Sequence, residues 1–260
     1  MTSTESELPP ISATIDDEIF VRGRNLGRDL IGSMTFTKMF LLDLDGTAPS
    51  PSRVRMVDAV LVAMMEHGVT PSTLAARLIL DGAPDSIQGA IAGGLLAAGP
   101  RFLGTIEQSA ALCVAIVSDV PDHGIESAAE KNILAILNAG GRVPGLGHNL
   151  HARVDPRVET LLGIAEREGV TGDHVAALLQ ARDATMRLRS GTHVLNAAGV
   201  IGAVLADLGY LPRQARGFAV VARCAGVFAH IADEQRHPIA RSVWGDLHKT
   251  TSEATRDGLK

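Results

Sequence analysis

Apolar residues return every three or four positions along most of the chain, the spacing of one face of a helix. Val54, Val57, Leu61 and Met65 form such a stripe, and His67-Gly68 closes it. Thr70-Pro71 pairs a capping hydroxyl with a first-turn proline and opens a predicted helix over 72–80. Further helices are predicted over 86–98, 104–117, 121–138, 155–168, 172–189, 192–208 and 212–232, with Gly99-Pro100 and Ala139-Gly140-Gly141 as breaks. No stretch alternates with period two between turn residues. The pattern predicts an all-α fold without internal repeats.

Composition agrees. The chain has 260 residues, 46% of them hydrophobic, with 27 Gly but one Trp and one Tyr. Small and aliphatic residues in this proportion favour closely packed helices. The net charge of −5 and the scatter of basic residues give no footprint for nucleic acid. Cys113 and Cys224 lie in apolar surroundings and read as reduced core residues of a cytoplasmic protein. No run reaches the ~20 apolar residues that span a bilayer; the stretch 87–99 is interrupted by Gln88. No membrane partner and no signal peptide are expected. Residues 1–19 carry Glu5, Glu7, Asp16, Asp17 and Glu18 with Pro9-Pro10, and read as a flexible acidic arm.

Four segments could carry chemistry. Phe40 to Thr47 reads FLLDLDGT, the aspartyl-phosphatase pattern of apolar residues followed by D-x-D-G-T. That chemistry needs a strand running into the motif; the alternative is a helix end before a polar turn. The second segment is GFAVVARCAGVFAH, 217–230, in which Arg223 is the one charged residue. A helix apolar on nearly all sides is buried, and a buried guanidinium needs an anion, either an internal carboxylate or that of a ligand. His230, seven residues on, shares its face. The third segment is RVPGLGH, 142–148, followed by Asp155-Pro156-Arg157. Gly145 and Gly147 admit close backbone approach to a ligand, and His148 supplies an imidazole at the loop end. His148 and His151 could begin a metal site, but no third ligand is evident and no metal is expected. The fourth is Met65 to Thr73, in which His67 either caps a helix or meets a ligand.

Taken together, V-P-G-x-G-H, then D-P-R, then A-R-x-x-G-x-x-A-H at 222–230 and I-A-R at 239–241, resemble the citrate synthase superfamily over residues 55–245. The resemblance implies a two-lobed helical homodimer, with a large lobe over 20–105 and 215–260 and a small lobe over 106–214. It implies that His67, Arg157, Arg223 and Arg241 hold substrate carboxylates, Arg241 reaching the other subunit's site. It places coenzyme A on Pro144, Gly145, Leu146, Gly147 and Asn149, with His148 catalytic and Arg101, Phe102 and Asn196 elsewhere in the pocket.

Two departures refine this reading. Gly94 to Gly104 reads GLLAAGPRFLG, with Phe102 where citrate synthases carry a histidine. That pattern and the chain length resemble the free-standing citryl-CoA lyases and the lyase module of ATP citrate lyase. Leu195 to Gly199 reads LNAAG where both groups read L-N-V-D-G, so Ala198 replaces the proton-transferring aspartate. The resemblance therefore implies cleavage of citryl-CoA to acetyl-CoA and oxaloacetate, with the thioester as substrate and no resident cofactor. The alternatives are a citrate- and CoA-binding homologue without turnover, and a condensing enzyme acting on another 2-oxo acid.

Overall fold

A computed structural model describes residues 8–147, 155–191 and 193–258. The chain separates into two compact units, Met1–Ala59 with Ile164–Val170, and Val60–Gly163 with Thr171–Lys260.

The first unit departs from the sequence expectation. Strands β1 (Ser12–Ile15), β2 (Glu18–Val21) and β3 (Arg24–Asn25) form an antiparallel meander inside and just beyond the predicted arm. Ala13 lies opposite Phe20, and Phe20 opposite Asn25. Strands this short carry too few positions to show alternation. Their turns are made by Asp16 and Asp17, both at positive φ, and by Arg22-Gly23. Asn25 then caps a wide helical turn, Leu26–Leu30, and Thr35 caps α1 (Phe36–Asp45). Val21, Leu30 and Leu42 are buried together. Arg22 donates from Nε and Nη2 to the Asp43 carbonyl at 3.0 and 2.5 Å, tying the meander to the end of α1. Gly46, at φ 73°, ends that helix in the left-handed conformation. The D-x-D-G-T segment is thus a helix C-terminus, and a helix rather than a strand runs into it. The phosphatase alternative fails on that ground. Helix α2 (Pro51–Met65) follows and continues into the second unit.

The second unit is helical: α3 (Pro71–Gly82), α4 (Ile87–Ala97), a wide turn Gly99–Leu103, α5 (Gly104–Asn138), α6 (Pro156–Arg167) up to Gly163, α7 (Asp173–Leu188), α8 (Ala197–Asp207), α9 (Pro212–Glu234) and α10 (Ala240–Gly258). Thr70 and Thr73 form the predicted cap of α3, each side chain bonding the other's backbone. The segments 104–117 and 121–138 correspond to two helical stretches of α5, joined end to end across Gly124, whose φ of 71° and ψ of 159° are not helical. Helix α8 starts at Ala197 rather than 192, because residues 194–196 pair with 145–147 instead of coiling. Helix α10 escaped prediction because its composition is largely polar.

Helix α5 packs against α7, α8 and α9, while α3 packs against α4 and α9 around Ala76, Leu80, Ala90, Val227 and Ile231. Asp207 closes α8 onto α7. Its carboxylate accepts the Gly172, His174 and Val175 N–H groups at 2.8–3.0 Å, three donors of a helix start. One expectation needs correction. By length and apolar composition, Gly99–Asn138 and Pro212–Glu234 would each suffice to cross a bilayer. About half of each apolar window, 44% and 50%, is instead buried inside the protein.

The α5–α8 crossing brings backbone onto backbone. A Cβ at Gly202 would lie 2.7 Å from the Ile106 carbonyl and 2.8 Å from the Ala110 nitrogen. Neither atom can swing aside. Gly202→Ala should therefore lower stability by about 1–3 kcal/mol, the overpacking penalty. That exceeds the ~0.5–1 kcal/mol gained from helix propensity. Urea unfolding of the two proteins gives the difference directly.

Candidate active site

The centre of the site is Arg223, on α9 and 2% exposed. Its Nη2 donates to His67 Nε2 at 2.7 Å. Its Nη1 is buried with no hydrogen-bond partner among the described residues. No carboxylate pairs directly with it there; the charge of Glu66 acts on it through space. Burial and the neighbouring Arg157 both push the Arg223 pKa down. A buried guanidinium nitrogen without an acceptor among the described residues is chemically suited to receive an anion.

His67 follows α2 in a short turn, 66–69. A guanidinium only donates, so the Nε2 that receives Arg223 carries no proton, and the neutral ring holds its proton on Nδ1. Burial, then Arg223 and Arg157, keep the His67 pKa below its usual value. The Arg157 charge thus acts on both Arg223 and His67. Three of the predicted carboxylate ligands share one electrostatic site.

Arg157 is held in place from α6. It donates from Nε and Nη2 to both oxygens of Asp155, at 3.0 and 2.9 Å, and from Nη1 to the Ala63 carbonyl at 3.3 Å. Asp155 is wholly buried. It also accepts the Ala197 N–H, at the first residue of α8, at 2.9 Å. Burial raises its carboxyl pKa, but the bonds from Arg157 and the two backbone N–H groups outweigh that and leave it at about 2. One carboxylate therefore joins Arg157 to the start of α8. Asn196 completes that start, accepting the Gly199 N–H at 2.9 Å and donating to the Gly147 carbonyl at 2.7 Å.

The glycine loop is packed onto α8. Gly145, at φ 82°, packs its Cα against Gly199; a Cβ there would lie 2.9 Å from the Gly199 Cα. Its freedom serves backbone packing onto α8. Gly147, at φ 78°, is exposed with open space beside it, while Pro144 and Leu146 are half-buried. Leu146 pairs with Leu195, and Gly147 N–H donates to the Val194 carbonyl at 2.7 Å. Ala198 is half-buried in the first turn of α8. His148, Asn149 and His151 lie outside the described residues. Arg101 and Phe102 are exposed on the wide turn after α4. Arg241, on α10 with its side chain 80% exposed, bonds Asp81 at 2.8 Å and is not brought to His67. No grouping of potential metal ligands occurs among the described residues.

Residues 7–242 match the family described as citrate synthase, C-terminal domain. The chain belongs to the citrate synthase family. The citryl-CoA lyase of Hydrogenobacter thermophilus is 30% identical, with a TM-score of 0.78 over 86% of this chain and 85% of that one. An aspartate-to-alanine mutant of ATP citrate lyase from Methanosaeta concilii, in complex with (3S)-citryl-CoA, is 21% identical and shares the fold (TM-score 0.73, 91% of this chain, 40% of that one). A Mycobacterium tuberculosis protein whose name gives it provisionally as citrate synthase 2 is 29% identical over 206 residues, 78% of this chain and 53% of that protein. The chain thus spans about half the length of that curated relative.

Within this citrate synthase-family site, sequence reading missed one group. Arg77, on α3 and 3% exposed, donates to Glu234 at 2.6 Å, Asp233 at 2.7 Å and His230 Nδ1 at 2.9 Å. The signal was available: Arg77 is the single charge in TLAARLIL, the same pattern that marked Arg223. The role of Asp155 was hidden, because its partners come together only in three dimensions.

Asp155 makes a pH prediction possible. An ordinary aspartate titrates near 3.8 and this one at about 2. The stability it contributes is therefore complete above about pH 4 and is lost as pH falls through about 2. Asp155→Asn should be less stable than the parent at neutral pH. The gap should close as the solution is acidified from pH 4 towards 2. Denaturant unfolding of both proteins across that range measures it.

Proposed function

We propose that the protein is an acyl-CoA lyase that cleaves citryl-CoA to acetyl-CoA and oxaloacetate. The observation that carries this reading is the buried Arg223, whose Nη1 has no partner among the described residues, with His67 and Arg157 at hand. A polycarboxylate is the chemical class such a group takes. The likeness to a citryl-CoA lyase over most of both chains supports the acyl-CoA part of the substrate.

In the proposed reaction, Arg223 and Arg157 hold carboxylates of the citryl group and His67 donates once a ligand replaces it on Arg223. Arg241 from a second copy completes the set. Coenzyme A lies along Pro144, Gly145, Leu146, Gly147 and Asn149, with Arg101, Phe102 and Asn196 bordering the pocket. His148 takes the hydroxyl proton as that carbon becomes the ketone of oxaloacetate. The bond to the acetyl carbon breaks, and its electron pair forms the enolate of acetyl-CoA. The enolate takes a proton from water, because Ala198 cannot give one, and His148 returns its own proton to solvent. The lobes are 20–105 with 215–260, and 106–214. No resident cofactor is required. A homodimer is supported by apolar side chains left exposed on α9 and α10, Val220 and Phe228 on one, Trp244 and Leu247 on the other.

Ala198 favours a second reading: a protein that binds citrate and CoA without turnover. Incubation with citryl-CoA, with oxaloacetate followed by coupled NADH oxidation, separates the two. Oxaloacetate formation above the spontaneous rate supports the lyase, and its absence in a protein that binds oxaloacetate supports the binding homologue. A condensing enzyme would instead consume a 2-oxo acid and acetyl-CoA with release of free thiol.

Two substitutions sharpen the test. Arg223→Ala should weaken oxaloacetate binding by about 2–5 kcal/mol, the size of truncating one partner of a buried charge pair. Calorimetry on the folded variant checks it. Ala198→Asp should raise cleavage, and deuterium exchange into the acetyl-CoA methyl group, by about 10²–10⁴-fold, the range for a positioned general acid or base. The gain should vanish in the double variant with His148→Ala. Thermal unfolding run alongside shows whether the larger side chain is accommodated.

A further inference from the structure

The turn that carries His67 meets α9 at three levels. Arg223 bonds His67. Gly226, three residues on, lies against the end of α2: a Cβ there would fall 2.0 Å from the Met65 carbonyl. His230, four residues further, places Nε2 2.9 Å from Glu66 Oε2. Positions 223, 226 and 230 lie on one helical ridge. The segment 65–67 is therefore held against that ridge at three points.

His230 is the member with no role in the reaction proposed above. We propose that His230 is a positioning residue: held by Arg77 in a single tautomer, it grips Glu66 and so fixes the turn that presents His67 to Arg223. The proposal rests on the carboxylate site assigned above.

The tautomer follows from the donors. Arg77 directs Nε and Nη2 at His230 Nδ1, at 3.1 and 2.9 Å. Both can only donate, so Nδ1 is a bare acceptor and the neutral ring carries its proton on Nε2. Nε2–H then points at Glu66. Arg77 is itself fixed, since Glu234 accepts from its Nη1 and Asp233 from its Nη2. The far oxygen of Glu66, Oε1, accepts the Gly68 N–H at 2.6 Å. Gly68 stands at φ 97°, a conformation that other residues rarely adopt. The carboxylate thus closes a tight loop around His67, with one oxygen on α9 and the other on the backbone beyond. His230 touches neither His67 nor Arg223 by any described bond; it acts through Glu66.

The direct reporter is the His67 ring. In the parent protein its Nδ1–H form is set by Arg223, and selective 15N labelling of histidine reads that form without any ligand. His67→Gln assigns the signal among the nine histidines. In His230→Leu and in Glu66→Ala, His67 should lose the single tautomer and show the averaged shifts of a free imidazole. Oxaloacetate affinity should fall about tenfold, the size of one hydrogen bond to a charged group. His230→Gln keeps an N–H for Glu66 and should recover both readouts. Glu66 is exposed, so Glu66→Ala decides the matter if His230→Leu fails to fold. Folded variants in which His67 keeps its tautomer overturn the proposal. A parent protein that shows the tautomer change on mutation but no oxaloacetate affinity would overturn the assigned function and leave the positioning role standing.

Discussion

A guanidinium cannot leave water without an anion or a cluster of acceptors to receive it. Two arginines of this protein are buried to the same degree, and they are treated in opposite ways. Arg77 is surrounded by Glu234, Asp233 and His230, and its charge is fully answered within the protein. Arg223 has a neutral imidazole on Nη2, and its Nη1 finds no hydrogen-bond partner among the described residues. The first arrangement is closed and structural. The second is open, and the remaining features of the site are organised about it.

That openness needs rigid surroundings, because an unsatisfied charge would otherwise draw in the nearest carboxylate. The two candidates are both committed elsewhere. Asp155 is spent on Arg157 and on the start of α8. Glu66 is spent on His230 and Gly68, and these bonds, against the opposing effect of burial, keep its carboxyl below its ordinary pKa. Close backbone packing supplies the rest of the stiffness. Gly145 on Gly199, Gly202 on α5 and Gly226 on Met65 leave no room for side-chain adjustment at the three junctions that set α8, the glycine loop and the His67 turn.

Much of this was legible in the sequence because it depends on local contrast. Arg223 stands out as one charge in an apolar helix, Thr70-Pro71 as a cap, and His67-Gly68 as a stop. Each is a signal carried by neighbours in the chain. What stayed hidden depends on long-range pairing. The meander over 12–25 shows no alternation, because its strands are too short and mostly exposed. Gly145 looks the same in sequence whether it faces a ligand or another glycine; only the partner, 54 positions away, distinguishes the two. The Arg77–His230–Glu66 chain joins residues from three separate segments, so no window of sequence contains it.

Ala198 is best understood through the same accounting of donors. The first turn of α8 presents N–H groups that need acceptors. Asp155 takes that of Ala197, and the Asn196 side chain takes that of Gly199. Neither bond involves the side chain at 198. An aspartate at that position, as the family resemblance places one, would be dispensable for capping. It would also stand one residue from the contact with ionised Asp155, and a like charge nearby raises a carboxyl pKa towards the range useful for proton transfer. The local scaffold is therefore suited to tune a carboxylate at 198 but does not depend on one. In the proposed reaction, alanine at 198 leaves the acetyl carbon without a protein proton donor, while none of the bonds of Arg223, His67, Arg157 or the start of α8 runs through the side chain at 198. The proposed reaction therefore assigns carboxylate binding and proton transfer to different side chains, and only the second depends on the residue at 198.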